Sequence, residues 1–368
     1  MKKRRIVLAS VLKPIDDTRM RDKLGGSIAK LPNTEIHIIG YPSQAIANQS
    51  EIRSYPLTKF TRLSISRLIA PAKIFLILYK VKPEVLIITT HELLIVSFLI
   101  RILFGAKIIY DVQENYFNNI LYSGSFTSFF RYIIAGYVRL KERMLAPSID
   151  HFFLAERSFE SDLTFIKGRF TILENKSLQT FSRRSRKGST IKCLFSGTLS
   201  EGTGVFQAVE LIIGLRFVIP NITLTIVGYC ANPYTLQRLL SLIRNHDYIS
   251  IIGGNQLVPH LVIQNEIEMA DYGLIAYKLT PNVKGSIPTK LYEYLAAQLP
   301  IVLQNHQPWI ELCKPYQAAI TVDFDKPDIK EIAKLIAQQT FYSNNPTGVL
   351  WKEEEEKLLK VLTSEILQ

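Results

Sequence analysis

Three cysteines in 368 residues, Cys193, Cys230 and Cys313, are odd in number and far apart, which argues against a disulfide framework and for a reducing compartment. The chain has no Cys-x-x-Cys pair, no His-Glu-x-x-His and no Gly-rich P-loop, so neither structural zinc nor metal-dependent hydrolysis is expected. Long apolar runs are missing too. Leu68 to Val81 and Leu93 to Phe104 are interrupted by Lys73, Lys80 and Arg101 and fall short of the ~18 to 20 residues that span a bilayer, so no transmembrane segment is expected. The opening KKRRIVLASVL imitates a secretion signal. Its apolar part is short, however, and Lys13, Pro14, Asp16 and Asp17 follow it with no small-residue cleavage site, so a first buried strand fits better. No helix-turn-helix, zinc-finger or RNP-like pattern occurs, and nucleic acid is not an expected partner.

What the chain does have is length, apolar content and a lopsided charge. With 47% hydrophobic residues it can build two domains with sizeable cores. Residues 1 to 190 carry 30 Lys and Arg against 15 Asp and Glu, a net of +15, while residues 191 to 368 carry 14 against 17, a net of −3. The first half therefore calls for an acidic partner. Short apolar helices interleaved with Arg62, Arg67, Lys73, Lys80 and Arg101 favour an anionic membrane surface over a domain that is merely basic.

Strand-like runs alternate with helical ones in both halves: Arg5 to Val11, Glu35 to Gly40, Val85 to Thr89, Lys107 to Tyr110, Phe152 to Ala155 and Phe170 to Asn175, then Ile191 to Ser196, Ile222 to Gly228, Ile249 to Gly253 and Tyr272 to Ala276. Helices are expected over Met20 to Leu31, over Leu63 to Lys80 with a break near Pro71, over His91 to Leu103 and over Val138 to Leu145. Between the halves, FSRRSRKGST has no apolar period and reads as a linker. The expected domains are 1–178 and 191–348, joined by a linker over 179–190, with a last helix over 349–368 whose run Glu353 to Glu356 should be solvated.

The stretch KGSIPTKLYEYLAAQLPIVL, Lys284 to Leu303, organises the second half. Pro288 suits a first helical turn, Leu291, Tyr294 and Leu295 share a face, and Ile301 to Leu303 is a short buried strand. A helix that starts at the carboxyl edge of a parallel sheet offers unpaired N–H groups and a positive dipole end to a phosphate. Glu293, one turn in, could accept hydrogen bonds from a ribose; an ordinary surface helix is the plain alternative.

PTKLYEYLAAQLPIV resembles the donor-nucleotide helix of GT-B glycosyltransferases, particularly the retaining group called family 4. The resemblance implies an α/β fold of two Rossmann-like domains facing a cleft, with the second domain holding a nucleotide-sugar donor. It further implies transfer to a lipid-linked or polysaccharide acceptor in the first domain, without a metal or other cofactor, by a cytoplasmic protein associated with the inner face of the membrane. In the family the Glu matching Glu293 holds the ribose; with the usual cations absent, Lys290 or Lys284 is left to supply charge to the departing diphosphate. YDVQENY, Tyr110 to Tyr116, resembles a Tyr-Asp-Val-His-Glu run, but Gln113 replaces the His, which leaves Glu114 as the nearest ionisable group. The Asp-x-Arg loop at Asp17 and Arg19 resembles the family's loop toward the acceptor, although Asp17 can equally cap a helix. His91, at a strand end, is a further candidate beside the acceptor.

The loop SGTLSEGTGV resembles the family's Gly-x-Leu loop, but Thr198 and Thr203 stand where an Arg and a Lys usually meet the diphosphate, and Gly285 stands where a first Glu is usual. The resemblance thus implies a donor site of Gly197, Thr198, Gly228, Gly253, Tyr277, Pro288, Thr289, Lys290 and Glu293, with Glu114, Gln113 and Lys290 nearest the chemistry. Asp323-Phe324-Asp325 matches the metal motif of the other glycosyltransferase fold but lies too late in the chain, and reads as a solvated loop. The thinned constellation leaves two alternatives open: a non-catalytic nucleotide- or glycan-binding subunit and a sugar-nucleotide epimerase.

Overall fold

Aliphatic, β-branched runs without polar alternation suit strands that are covered on both faces, and these are joined by crossovers rather than hairpins. The computed structural model, which describes residues 3–42, 52–58, 65–122, 128–181, 188–281 and 283–367, builds two parallel sheets from them. The chain divides into two compact units, Met1–Leu178 with Trp351–Gln368, and Gln179–Leu350. Arg62 and residues 182–187 of the linker lie outside the described residues.

In the first unit, the described strands are β1 (Arg4–Pro14), β2 (Thr34–Tyr41), β3 (Ile52–Pro56), β4 (Val85–Ile88), β5 (Lys107–Val112), β6 (His151–Leu154) and β7 (Phe170–Ile172), in the order 3-2-1-4-5-6-7. β1 pairs with β2 on one side and β4 on the other, so the winding reverses at its carboxyl end. Helices α1 (Ile65–Val81), α2 (Leu94–Phe104) and α3 (Ser128–Leu145) belong to this unit. α1 continues through Pro71, which lies in its second turn and forfeits only the bond its nitrogen would give the Arg67 carbonyl. α3 starts ten residues before the expected Val138.

The last helix, Trp351–Val361, packs on the opposite face of this sheet, its Leu358 and Val361 sharing a core with Ile6, Leu8 and Met20. Trp351 Nε1 donates to Ser27 Oγ at 2.9 Å. The four-Glu run, expected to be solvated, is not uniformly so. Glu354 is 0% exposed and takes Lys176 Nζ at 2.7 Å, beside Ser177, whose carbonyl accepts from the Trp351 N–H at the start of this helix.

The second unit has β8 (Ile191–Ser196), β9 (Ile222–Tyr229), β10 (Ile249–Gly254), β11 (Tyr272–Ile275), β12 (Ile301–Gln304) and β13 (Ala319–Val322), in the order 10-9-8-11-12-13. Its helices include α4 (Val205–Arg216), α5 (His260–Met269) and α6 (Thr289–Ala296). Here the winding reverses between β8 and β11, and open α/β sheets bind ligands at the carboxyl ends of such a pair.

Candidate active site

Three of the expected glycines line up across the carboxyl ends of neighbouring strands. Gly253 pairs with Gly228, and Gly197 directly follows the Ser196 that pairs with Val227. A Cβ on Gly228 would lie 1.7 Å from the Gly197 carbonyl oxygen, and one on Gly253 would lie 2.5 Å from that of Gly228. No side chain fits, so this edge of the second unit stays bare backbone. Gly204, at φ +77, begins α4 where a Cβ would meet the Ala276 carbonyl at 1.7 Å, which draws the loop after β8 against the end of β11. Thr203 holds that loop closed, donating to the Thr198 carbonyl at 2.8 Å and accepting from the Ser200 N–H at 3.1 Å. Thr198 itself is exposed.

α6 rises from the other side of the switch point. Pro288 sits at its N-cap rather than in its first turn, because an extended ψ of 134° places it just before the helix, and Thr289 is the first helical residue. Leu291, Tyr294 and Leu295 are buried, which turns Lys290 and Glu293 toward the ends of β8 and β11. Lys290 is 7% exposed, and its ammonium donates to the Ser196 carbonyl. It also lies over the rings of Phe195 at 4.8 Å and Tyr277 at 5.0 Å. Among the described residues no carboxylate pairs with it. Burial pushes its amine down to about 8 against the opposing pull of Glu293. Burial likewise pushes Tyr277 up to about 12, with Glu293 adding to the rise. Tyr294 fixes the base of the helix by a 2.9 Å bond to Ser196 Oγ. Glu293 is 8% exposed, and His260 Nε2 stands 3.4 Å from its Oε1. Sequence reasoning missed His260, whose only signal was its place just after the Gly253-Gly254 turn.

Beside this group, a cavity of about 570 Å³ is lined by Tyr277, Lys278, Gln304, Asn305, Asp323 and Asp325, among others. Asp323 and Asp325 are exposed, as expected of a solvated loop. Among the described residues no three His, Cys, Asp or Glu side chains gather closely enough to hold a metal.

The candidates of the first unit meet at the ends of β4 and β5, but several are committed elsewhere. Arg19 is 3% exposed, grips Asp111 through two nitrogens at 2.6 and 3.0 Å, and donates to the Leu173 carbonyl at 2.8 Å. Its guanidinium ties the first loop to the sheet through Asp111 and Leu173. Asp17 caps the helical segment Thr18–Gly25, accepting from the Met20 N–H at 2.9 Å. Gln113 donates to Asp111 at 2.8 Å, which adds a third ligand to that buried carboxylate. Glu114 accepts from Asn119 at 3.0 Å and lies 3.7 Å from Lys13 at a partly exposed position.

His91 belongs to a half-buried polar cluster. Its Nδ1 meets Lys141 Nζ at 3.0 Å, its ring stands edge-on to Tyr116 at 4.7 Å, and Glu92, which takes Arg67, adjoins it. Burial pushes His91 down to about 4, so it is neutral at pH 7. Nearby, burial raises Glu142, which accepts from Tyr110 at 3.3 Å.

No protein-family model matches the sequence, and no curated protein matches it. Solved structures do match in shape. A sucrose-phosphate synthase from Thermosynechococcus elongatus superposes with a TM-score of 0.70 at 13% identity, covering 100% of this chain and 97% of that one. Anabaena HepE in complex with UDP and glucose gives 0.67 at 12% identity, covering 97% and 99%. A putative UDP-N-acetylglucosamine 2-epimerase from Listeria monocytogenes gives 0.62 at 11%, covering 98% and 96%. At such identities the likeness establishes the fold, which is the GT-B fold of two Rossmann-like domains.

Proposed function

We propose that the protein is a glycosyltransferase that takes a sugar from a nucleoside-diphosphate donor bound by the second unit. The observation that carries this reading is Lys290, a buried ammonium with no carboxylate partner among the described residues, beside the start of α6 and the bare glycine edge of β8, β9 and β10. A buried unpaired cation is costly unless an anion arrives to pair with it. The diphosphate of a donor supplies that anion, and the solved structure of Anabaena HepE, of the same fold, contains UDP and glucose.

In this reading the bond between the anomeric carbon and the diphosphate oxygen breaks, the sugar passes through an oxocarbenium-like state, and an acceptor hydroxyl closes the new bond while giving its proton to the departing diphosphate oxygen. Lys290 and the first N–H groups of α6 stabilise the charge left on the departing diphosphate, so no metal is required. Glu293 takes the ribose hydroxyls. Retention of configuration, a lipid-linked or polysaccharide acceptor near Glu114 and His91 of the first unit, and seating on an anionic membrane complete the proposal.

Thermal shift with UDP-, GDP- and CMP-sugars tests it, since a ligand that binds only the folded state raises Tm by mass action. A shift with one donor, followed by release of free nucleotide when acceptor is added in the presence of chelator, is the expected outcome. Silence with every nucleotide would overturn it. Release that needs manganese would remove the metal-free part alone.

A further inference from the structure

A helix lying on a sheet ordinarily turns its apolar stripe inward and a polar one outward. Three helices of the first unit do not. On α2, Leu94, Val96 and Ile100 are buried, yet Ile95, Phe98, Leu99, Ile102 and Leu103 on the outer side are exposed, Ile102 to 64%. On α3, Phe129, Ile133, Tyr137, Leu140 and Met144 recur every three or four residues opposite the buried Ala135, Val138 and Glu142. α1 adds Leu68, Leu76 and Tyr79, with Leu68 exposed to 80%. α1 packs beside α2 and α2 beside α3, so the outer stripes are continuous. Of the 27 large apolar side chains left exposed among the described residues, 16 lie on these three helices. That density is far from the scattered apolar residues of an ordinary surface.

Charge on the same helices identifies what covers them. α1, α2 and α3 carry eight Lys and Arg and one carboxylate, Glu142. Glu142 is buried, with Arg139 at 3.3 Å, and so is absent from the outer face. A second copy seated on this face would set like charge against like. No helix among those described is long and apolar enough to cross a membrane. We propose that α1, α2 and α3 form a single monotopic membrane seat. Their outer stripes sink into the headgroup region of an anionic phospholipid bilayer, where the exposed Lys73, Lys80 and Arg143 take the lipid phosphates. This inference rests on the membrane-seating part of the function proposed above and not on sugar transfer. It differs from purely electrostatic attraction, because apolar insertion survives salt that screens surface charge.

The test floats the full chain with phosphatidylcholine vesicles, with and without phosphatidylglycerol, at low and at high salt. The native chain should float with the anionic vesicles, lose several-fold of its binding in high salt and retain a clear remainder. Ile102→Ser with Ile133→Ser and Leu140→Ser should abolish that remainder. Lys73→Glu with Lys80→Glu should instead weaken binding chiefly at low salt. These are exposed positions, so nucleotide-induced thermal shift, if the native chain has one, should be unchanged in both variants. Flotation of the triple Ser variant equal to the native chain would overturn the proposal. So would a native chain that fails to float, whether it runs as a monomer or as a dimer that the Ser variant dissolves. A native chain that binds nucleotide but does not float overturns the seat alone, while a native chain that floats without any nucleotide shift overturns the transferase reading and leaves the seat standing.

Discussion

His260 Nε2 stands 3.4 Å from Glu293 Oε1, linking the helix after β10 to the helix after β11 across the carboxyl edge of the second sheet. If Glu293 accepts a charge-assisted bond from a ribose, Glu293→Ala removes roughly 1.5 to 3 kcal/mol, a ten- to hundred-fold weakening of nucleotide binding. Glu293→Gln keeps the shape and one acceptor and should fall between. His260→Ala removes only an orienting contact and should cost a few-fold, mostly in donor KM. Titration calorimetry of the three variants decides this, and unchanged affinity in Glu293→Ala would sink the ribose assignment. A non-catalytic binder would show the same affinity losses with no transfer to any acceptor.

Lys290 gives a prediction with a definite pH window. Burial lowers its amine to about 8 from 10.5. The folded chain therefore holds fewer protons than the unfolded chain between these values, and stability rises with pH across the window. Below about pH 8 the full burden applies, on the order of 3 kcal/mol for a shift of this size. Lys290→Met, whose side chain fits between the Phe195 and Tyr277 rings, should raise Tm at pH 7 and flatten the rise above pH 8. The same variant should lose most turnover, because it can no longer meet the diphosphate. In the native protein, nucleotide affinity should decline above about pH 8, where the site must first take up a proton. A pH-independent Kd from 7 to 9.5 would argue that Lys290 does not face the phosphates.

Much of this architecture was readable because buried parallel strands write themselves as unbroken apolar runs, and each run named in both halves is a strand. Lys284 to Leu303 was readable for the same reason, since its helix turns Leu291, Tyr294 and Leu295 into the core. α3 was seen only from Val138 onward. With Phe129, Ile133 and Leu140 outside and Ala135 and Val138 inside, apolar residues occupy both faces and blur the helical period. Side-chain commitments between distant residues were not readable either. Arg19 looked free to meet a ligand until Asp111, 92 residues on, proved to hold it. Thr203 looked like a lost cation, yet it fastens its own loop.

His91 should report on acid stability. Burial holds it near 4, against an ordinary 6.5, so the folded chain binds fewer protons between those values and loses stability as pH falls from 6.5 toward 4. His91→Gln, which keeps an acceptor for Lys141 but cannot titrate, should flatten part of that loss. The readout is the difference between native and variant Tm at pH 7 and at pH 5, because His37, His151 and His306 are also depressed by burial and contribute in both proteins. An identical acid profile would mean that His91 reaches water more freely than its packing against Tyr116 implies.

Glu354 carries the last prediction, because its place was the least expected. It is 0% exposed, takes Lys176 at 2.7 Å and Lys357 at 2.9 Å, and accepts from the Glu174 N–H at 3.3 Å. The helix that bears it thereby locks onto the end of the first unit, where Trp351 donates to Ser27. Removing one member of a buried pair costs about 3 to 5 kcal/mol when the other is left unpaired; Lys176 keeps Glu353 at 3.2 Å, so the loss here should fall toward the lower end of that range. Glu354→Ala should therefore lower the urea midpoint of the first unit sharply, whereas Glu356→Ala, at an exposed position on the same helix, should change stability by no more than about 0.5 kcal/mol. Glu354→Leu with Lys176→Met replaces the pair by apolar groups and should recover much of the loss, since the stranded charge is gone. Equal midpoints for the two alanine variants would mean that the docking rests on the apolar contacts of Leu358 and Val361 instead.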